Sequence, residues 1–454
     1  MTVGFPSLSI HNSKFKIDLP LNASTDALSG VSFENSPGFA RRLDAEDPLR
    51  DYRNRFHLPK EGGREAIYFC GNSLGLQPKT VRDAVEREML QWEKLAVEGH
   101  FAGEQPWFTY HKQFKEPLGG LVGALPHETV VMNNLTTNLH LMLTSFYRPA
   151  AGRYKVLMEG NAFPSDQYAV ESQVRLHGFS PDAAIVEVQP RPGAYTLRTE
   201  DIVQAIETHG GELALVLFGG INYYTGQVYD LEAIARAGQR AGARVGFDLA
   251  HAIGNVPLRL HDWGADFAVW CSYKYLNSGP GGVAGAFVHE KHADSDLPRL
   301  AGWWGYHEET RFRMEKGFKP MYGADGWQLA NAPVLLLAAH KAALDVFEEA
   351  GMDALLRKSN LLTGYLFSIL DDINRQQHKK IIEVITPRKN GEHGCQVSML
   401  MLEKGREVFQ SLTGRGVVAD WREPNVIRVA PVPLYNSFED VWQFGNIIRS
   451  ILEG

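Results

Sequence analysis

The chain has 454 residues, with 46 Lys and Arg against 53 Asp and Glu, and a formal net charge of −7. Hydrophobic residues make up 44% and charged residues 22%, a globular composition that excludes a disordered or fibrous protein. The negative charge argues against a nucleic-acid partner, although small anions can still bind at local sites. At roughly 150 residues per domain, the length predicts about two to four domains.

The three cysteines, Cys70, Cys271 and Cys395, lie far apart in the sequence. Their spacing excludes a disulfide framework or a CxxC metal site and favours a reducing compartment. The first arginine is Arg41 and no long apolar run opens the chain, so we expect a cytoplasmic protein. No apolar run approaches the roughly 20 residues of a membrane helix, and we expect no membrane segment. The sixteen histidines are scattered without an HExxH pattern, so we expect no metal site.

The first 40 residues are rich in Ser, Asn and Pro and lack periodicity, so we expect a loosely attached arm or strap there. Apolar residues three or four apart predict a half-buried helix over Val81–Leu95. From Tyr154 onward, short apolar runs alternate with helical stretches such as Leu231–Ala241. This alternation predicts βαβ crossovers and a mostly parallel sheet covered on both faces. The predicted strands are Tyr154–Met158, Leu213–Gly219, Ala243–Phe247, Phe267–Cys271 and Ala284–Val288.

The pattern changes near Pro333, where Val334–Ala350 predicts a long helix leading out of the sheet. A smaller α+β domain is expected after it. Its predicted elements are helices Leu361–Leu370 and Phe438–Leu452 and strands Ile381–Ile385, Gln396–Leu402 and Val426–Ala430. We therefore expect residues 1–70 to form an N-terminal arm that also contributes to the small domain, residues 71–335 a large domain, and residues 336–454 the small domain.

Candidate site residues directly follow the strands, because open α/β sheets bind ligands at the carboxyl ends of their strands. Asp248 and His251 come after the strand Ala243–Phe247; taken singly, a helix cap and a satisfied core histidine would explain them. Lys274 follows the next strand and enters a glycine-rich turn, in aromatic and apolar surroundings typical of a nucleophilic amine. It lies 274 − 248 = 26 residues beyond Asp248, about one helix and one strand. Both side chains are therefore expected at the same edge of the sheet.

This pair meets the needs of pyridoxal phosphate, whose aldehyde binds a lysine and whose pyridine nitrogen pairs with a carboxylate. Residues 133–137 precede the apolar helix Asn138–Phe146, and free N–H groups and hydroxyls at a helix start can hold a phosphate. Phe163 to Asp166 follow the strand Tyr154–Met158 and offer an aromatic face and polar groups for the cofactor ring. Each stretch alone reads as an ordinary helix start. Four such signals on successive strand ends together predict a cofactor site.

Five stretches identify a family, and they lie between about residues 40 and 450. The chain resembles the kynureninases, pyridoxal-phosphate hydrolases of the aspartate aminotransferase fold type. The resemblance implies an α/β protein of PLP-dependent transferase fold type I, with a mostly parallel seven-stranded sheet in a large domain and a smaller α+β C-terminal domain. The stretches are FCGNSLGLQPK (69–79), NNLTTNLHLML (133–143), FPSDQYAVESQ (163–173), GFDLAHAIGNVPLRLHDWGADFAVWCSYKYLNSGPGG (246–282) and IRVAPVPLYNS (427–437).

The resemblance implies hydrolysis of kynurenine or 3-hydroxykynurenine in a homodimer with shared active sites. It assigns Lys274 as the lysine that binds pyridoxal 5′-phosphate, Asp248 as partner of the pyridine nitrogen, and Phe163 as the residue stacked on the ring. Residues expected to line the cofactor are Leu135, Thr136, Ser165, Asp166, His251 and Tyr273, the last also a candidate proton carrier. Trp303 and Asn331 are expected to reach the phosphate from the neighbouring subunit. Residues expected at the substrate are Arg428, at its α-carboxylate, and Ser73 and His100, near its aromatic end.

Three positions depart from the family pattern. Gly219 stands where related enzymes often carry a serine near the phosphate. Ala330 and Trp304 stand where a serine and a phenylalanine are common, which leaves the preference between the two kynurenines open. Alternatives are a cysteine desulfurase-like lyase, a binding protein that keeps the fold without the cofactor, and, less favoured, a nicotinamide dehydrogenase.

Overall fold

The computed structural model describes residues 32–453. Residues 1–31 of the expected arm therefore lie outside the described part of the chain. The remainder of the arm includes a helix, Pro37–Glu46, whose N-cap Ser36 accepts a hydrogen bond from Phe39 N–H. Phe39 is buried in the same apolar cluster as Phe69 and Phe444, so this segment packs on the C-terminal part of the chain.

The strands in residues 32–453 are numbered in chain order. They are β1 Lys60–Glu61, β2 Arg64–Glu65, β3 Ile67–Tyr68, β4 Thr129–Val131, β5 Lys155–Glu159, β6 Ile185–Val188, β7 Leu213–Gly219, β8 Arg244–Asp248, β9 Phe267–Trp270, β10 Gly285–Val288, β11 Ile382–Val384, β12 Val397–Met401, β13 Val417–Val418, β14 Asp420–Arg422 and β15 Val426–Val429.

The α-helices of the same residues are numbered likewise. They are α1 Pro37–Glu46, α2 Val81–Leu95, α3 Lys115–Val122, α4 Leu135–Phe146, α5 Pro164–Leu176, α6 Pro181–Ala184, α7 Thr199–His209, α8 Leu231–Arg240, α9 Leu260–Trp263, α10 Val334–Ala350, α11 Met352–Gln376, α12 Gly405–Gly414 and α13 Phe438–Glu453. Short 3-10 helices include Ala96–His100, Trp107–Phe114 and Trp303–Gly305.

Over residues 32–453, the largest sheet has seven strands in the order β4-β10-β9-β8-β7-β5-β6. Strands β9, β8, β7, β5 and β6 pair in parallel, while β10 runs antiparallel between β9 and β4. The prediction of a mostly parallel seven-stranded sheet is therefore confirmed. The register pairs Gly219 with Asp248 at the ends of β7 and β8, which brings the candidate residues to one edge.

The sheet is buried on both faces because its strands are continuous apolar runs. In β7, Val216 and Phe218 belong to one core cluster, whereas Leu215 and Leu217 belong to the cluster on the other face. This alternation follows from the two-residue period of a strand. Because both faces are covered, every residue of β7 before Gly219 is apolar and buried.

The C-terminal part contains a second sheet with the antiparallel order β11-β12-β15-β14, packed with α11 and α13 in one apolar cluster. Strand β3 pairs in parallel with β13, so the N-terminal segment joins this part. The helices predicted over Val81–Leu95 and Val334–Ala350 are confirmed with those bounds. Among residues 32–453, none of the helices is both long and apolar enough to span a membrane.

Candidate active site

A cavity of about 170 Å³ lies at the carboxyl ends of β5, β7, β8 and β9 and at the start of α4. The structure thus brings together predicted residues that are up to 139 positions apart, from 135 to 274. Predicted residues that line the cavity are Leu135, Thr136, Phe163, Ser165, Asp166, Asp248, His251, Tyr273 and Lys274. Residues that the sequence did not single out for a role there include Glu159, Ile221, Tyr223 and Cys271.

Lys274 faces two of the predicted residues. Its Nζ lies 3.0 Å from Nε2 of His251 and 5.8 Å from the centroid of the Phe163 ring. Burial holds the pKa of His251 well below its ordinary value, and the charge of Lys274 lowers it further. A neutral His251 that accepts a hydrogen bond from Lys274 carries its proton on Nδ1. That buried atom has no hydrogen-bond partner among residues 32–453.

Asp248 and Asp166 form a buried carboxyl pair, with residues 7% and 8% exposed. Burial raises the pKa of Asp248, but a 2.7 Å hydrogen bond from Ala250 N–H and the charge of Lys274 oppose that rise and favour its ionised form. Burial, and then the neighbouring Asp248, hold the pKa of Asp166 well above its usual range. Asp166 is therefore the more readily protonated of the two, and Asp248 is the carboxylate that can face a cationic ring nitrogen.

The start of α4 supplies donors for an anion. Asn134 is the N-cap and accepts a 2.9 Å hydrogen bond from Thr137 N–H. The exposed Thr136 places Oγ1 2.9 Å from Oγ of Ser165, at the start of α5. Two hydroxyls beside a helix N-terminus suit a phosphate group, since free N–H groups and the helix dipole both favour negative charge.

Glu159 lines the cavity, although nothing in the sequence singled it out. It ends β5, is 5% exposed, and accepts hydrogen bonds from Asn222 Nδ2 at 2.8 Å, Gly219 N–H at 3.2 Å and Tyr229 O–H. Burial raises its pKa. A Cβ on Gly219 would lie only 2.7 Å from Glu159 Oε1. The absence of a serine at 219 therefore has a structural reason, because the glutamate occupies the space.

The stretch FCGNSLGLQPK contacts the turn that carries Lys274. Gly75 N–H donates a 2.8 Å hydrogen bond to the carbonyl oxygen of Tyr273. A Cβ at Gly75 would collide with the carbonyl of Lys274 and with the side chain of Asn277. Glycine is required here by close approach, and the contact fixes the backbone that carries Lys274.

Tyr273 and Cys271 flank the same turn. Burial raises the pKa of Tyr273, so its phenol remains a proton donor near neutral pH. The sequence predicts Cys271 within a strand, but β9 ends at Trp270 and Cys271 lines the cavity. Burial raises the pKa of its thiol to about 11, which disfavours the thiolate needed of a nucleophile.

Arg428 does not line the cavity in this structure. It is 1% exposed, on β15, and its guanidinium donates to Asp420 and to the carbonyl oxygen of Tyr223. Tyr223 lines the cavity, and its ring meets the Phe163 ring edge-on, with centroids 5.2 Å apart. Arg428 therefore lies one residue behind the cavity wall.

The other predicted residues also lie outside the cavity lining. Ser73 is exposed, and His100 packs edge-on against Trp107 with centroids 5.4 Å apart. Trp303 is 46% exposed and Asn331 is exposed. Their roles at substrate and at a second subunit stay predictions.

A set of three residues with metal-ligand atoms lies apart from the cavity lining, although the sequence predicts no metal site. It consists of Glu128, His261 and His289. The buried Glu128 carboxylate already accepts hydrogen bonds from Leu125 N–H at 2.8 Å and Glu290 N–H at 2.7 Å, and it lies 3.0 Å from His261 Nδ1. This network satisfies the carboxylate without an ion.

The cavity residues fit the pyridoxal phosphate that the sequence implies. The chain supplies an amine, a buried carboxylate, an aromatic face and a helix start with two hydroxyls, each facing one cavity. Asp166 Oδ1 and His251 Nδ1 are buried and have no partner within residues 32–453. Buried polar atoms are rarely left unpaired, so these two indicate a polar ligand.

Comparisons with known proteins agree with the family resemblance seen in the sequence. Residues 355–448 match the family model "Kynureninase C-terminal domain". The chain is 55% identical over 423 residues to the kynureninase of Flavobacterium psychrophilum, covering 93% of this chain and 99% of that protein. It is 55% identical over 406 residues to the kynureninase of Stenotrophomonas maltophilia, covering 88% and 95%.

Solved structures with low sequence identity share the fold. The apo cysteine desulfurase of Thermococcus onnurineus superposes with a TM-score of 0.72 at 17% identity, over 93% of this chain and 99% of that one. A lysine-to-alanine mutant of C-DES with glycine covalently linked to its PLP cofactor gives a TM-score of 0.71 at 17% identity, over 87% and 98%. At such identities the likeness establishes the fold alone.

Proposed function

Because the chain belongs to the kynureninase family, we propose that it hydrolyses the Cβ–Cγ bond of L-kynurenine or 3-hydroxy-L-kynurenine. Water is consumed, and L-alanine is released with anthranilate or 3-hydroxyanthranilate. The observation that carries the proposal is the convergence of Lys274, Asp248 and the start of α4 on one cavity. As a carbon–carbon hydrolase of this family, the protein serves tryptophan catabolism and pyridine nucleotide biosynthesis toward NAD.

The cofactor is pyridoxal 5′-phosphate, which supplies an electron sink for the bond cleavage when bound. Lys274 would hold its aldehyde, Asp248 its ring nitrogen, and Phe163 its ring face. Thr136 and Ser165 would hold its phosphate. Leu135, Asp166, His251 and Tyr273 would complete its surroundings.

The chain's own groups move the protons. Lys274 would remove the α-proton of the substrate, since it is the cavity amine and His251 can accept a hydrogen bond from it. Tyr273 would donate a proton to Cβ as the Cβ–Cγ bond breaks, because its raised pKa keeps the phenol protonated. Asp166 would take up a proton more readily than Asp248, which would leave Asp248 ionised beside the ring nitrogen.

Arg428 would bind the α-carboxylate of the substrate, and Ser73 and His100 would face its aromatic end. The buried Trp304 packs edge-on against Phe108, with centroids 5.2 Å apart. Ala330 is exposed. Neither residue lines the cavity, so the preference between the two kynurenines is an outcome to be measured.

A second copy of the chain would complete the site, forming a homodimer. Supporting this, Trp303 and Asn331 lie at the surface, and the exposed Phe312 packs edge-on against Trp303 with centroids 5.5 Å apart. An exposed aromatic cluster of this kind marks an interaction surface.

We also place the protein in the cytoplasm, where its three free cysteines would stay reduced.

The alternative is a cysteine desulfurase-like lyase, and the cysteines argue against it. Cys271 lines the cavity, but burial raises its pKa to about 11. Burial raises the pKa of Cys70 to about 11 and that of Cys395 to about 12. A desulfurase needs an accessible thiolate to accept sulfur, and none of these thiols offers one.

The test uses the purified protein with bound cofactor. Incubation with L-kynurenine should yield anthranilate, read by its fluorescence, and L-alanine in a 1:1 ratio. Steady-state comparison with 3-hydroxy-L-kynurenine then defines the preferred substrate. Alanine and protein persulfide formed from L-cysteine, with no anthranilate from kynurenine, would replace the proposal with the desulfurase alternative.

A further inference from the structure

Arg428 is held on β15 by its neighbours across the sheet. The strand register pairs Arg428 with Asp420 of β14, and Nη2 of Arg428 donates to the Asp420 carboxylate. Nη1 donates to the carbonyl oxygen of Tyr223. The third donor nitrogen, Nε, is buried and has no partner within residues 32–453. Two of the three nitrogens thus have acceptors in the protein, and the Nε–H group has none among residues 32–453.

Asp420 serves a second cation as well. Arg422, two residues along β14, donates from Nη2 to Oδ2 of Asp420 at 3.1 Å. The Asp420 side chain is 12% exposed. Its single carboxylate pairs with both guanidinium groups. Two cations share one anion here, so the cluster has an excess positive charge behind the cavity wall.

The cluster adjoins the cavity through Tyr223. The Cζ atoms of Arg422 and Arg428 lie 5.9 Å and 6.0 Å from the centroid of the Tyr223 ring, and Tyr223 lines the cavity. A buried donor without a partner costs stability unless a ligand satisfies it. A carboxylate suits the Nε edge of a guanidinium, because it can accept two parallel hydrogen bonds.

We propose that Asp420 is the positioning residue that fixes the Arg428 guanidinium so that its free Nε edge receives the α-carboxylate of the substrate. The inference rests on the proposed function, which assigns Arg428 to that carboxylate. Asp420 touches no substrate atom in this role. It acts through Arg428, whose orientation it sets together with the Tyr223 carbonyl.

The test is Asp420→Asn in the protein with bound cofactor. The amide oxygen of this variant can still accept from Arg428, but the hydrogen bond loses its charge assistance, about half of its strength, which corresponds to about a three- to ten-fold rise in KM for kynurenine. The kcat should change by less than about threefold, because the carboxylate is bound alike before and during bond cleavage. Asp420→Glu, which keeps the negative charge, should have a KM between those of wild type and Asp420→Asn.

Two comparisons separate positioning from general damage. The decarboxylated analogue of kynurenine keeps the aromatic ketone and the amine, so its inhibition constant should be the same for wild type and Asp420→Asn. In an Arg428→Gln background, Asp420→Asn should add no further rise in KM. Asp371→Asn is the matched control, since Asp371 forms an exposed pair with Arg388 at 2.7 Å in the same part of the chain; its KM should equal that of wild type.

An unchanged or lower KM in Asp420→Asn, with active wild type, overturns the inference and leaves the proposed function standing. So does a parallel loss of affinity for the decarboxylated analogue. If wild type releases no anthranilate, the proposed function fails, and binding is read instead from the change in cofactor absorbance with L-alanine and with ethylamine. If Asp420→Asn binds L-alanine more weakly than wild type but binds ethylamine equally well, the inference is supported. If the binding of both ligands weakens equally, the inference is overturned.

Discussion

Introducing a serine at position 219 is expected to destabilise this protein. The added Cβ would lie 2.7 Å from Oε1 of Glu159 and 3.5 Å from the carbonyl oxygen of Ile221. Glu159 is buried, and moving it would weaken its hydrogen bonds from Gly219 N–H and Asn222. The side chain therefore has little room to give way.

The magnitude follows from two contributions. Overpacking a tightly packed site costs about 1–3 kcal/mol, and a lost hydrogen bond to the carboxyl group adds about 1–2 kcal/mol. A sum of about 2–5 kcal/mol corresponds to a fall in melting temperature of roughly 4–10 °C for a domain of this size.

The assay is differential scanning calorimetry of Gly219→Ser and wild type, both with bound cofactor. Gly120→Ala is the control, because a Cβ at this position of α3 meets nothing within 4 Å, and its melting temperature should stay level or rise slightly. A Gly219→Ser protein that melts within about 1 °C of wild type, where neutral surface substitutions fall, would refute the reasoning.

Two further predictions concern buried ion pairs. The pKa of Asp266 is lowered to about 2, because the effects of His292, Lys291 and Val245 N–H outweigh that of burial. The ionised Asp266 therefore contributes about 2 kcal/mol to the unfolding free energy above about pH 4, and this contribution is lost as the pH falls toward 2. The stability difference between wild type and Asp266→Asn should shrink over that range, and a constant difference would contradict this prediction. The buried Lys358 lies 2.7 Å from the carboxylate of Asp47, and Asp47→Asn removes this ion pair. The variant should lower the unfolding free energy by about 3–5 kcal/mol. A loss below about 1 kcal/mol in denaturant titration would contradict the prediction.

The large sheet was predictable because its central strands are buried apolar runs separated by helical periodicity. The strand β6 was missed because it lies at the sheet edge, where Ile185 to Glu187 are partly or fully exposed and the apolar run is interrupted. The helix predicted over Leu361–Leu370 runs from Met352 to Gln376. Its ends carry more polar residues, which weakened the periodic signal there.

At the site, residues that directly follow strands could be predicted, as Asp248, His251 and Lys274 illustrate. Glu159 and Asp420 could not, because their meaning depends on partners distant in the sequence. Glu159 is held by Asn222, 63 positions away. A signal existed for Glu159, since it is an acidic residue ending an apolar strand of the same sheet. For Asp420, only the strand pairing with Arg428 reveals the role.

The central claim is that Lys274 is the amine through which this chain cleaves kynurenine. The direct measurement is anthranilate release from L-kynurenine by wild type, by Lys274→Ala, and by Lys389→Ala, whose lysine is 70% exposed and paired with Glu392. We expect wild type and Lys389→Ala to release anthranilate at equal rates, and Lys274→Ala to release none and to lose the visible absorbance of the bound cofactor. Sustained anthranilate release by Lys274→Ala would contradict the claim.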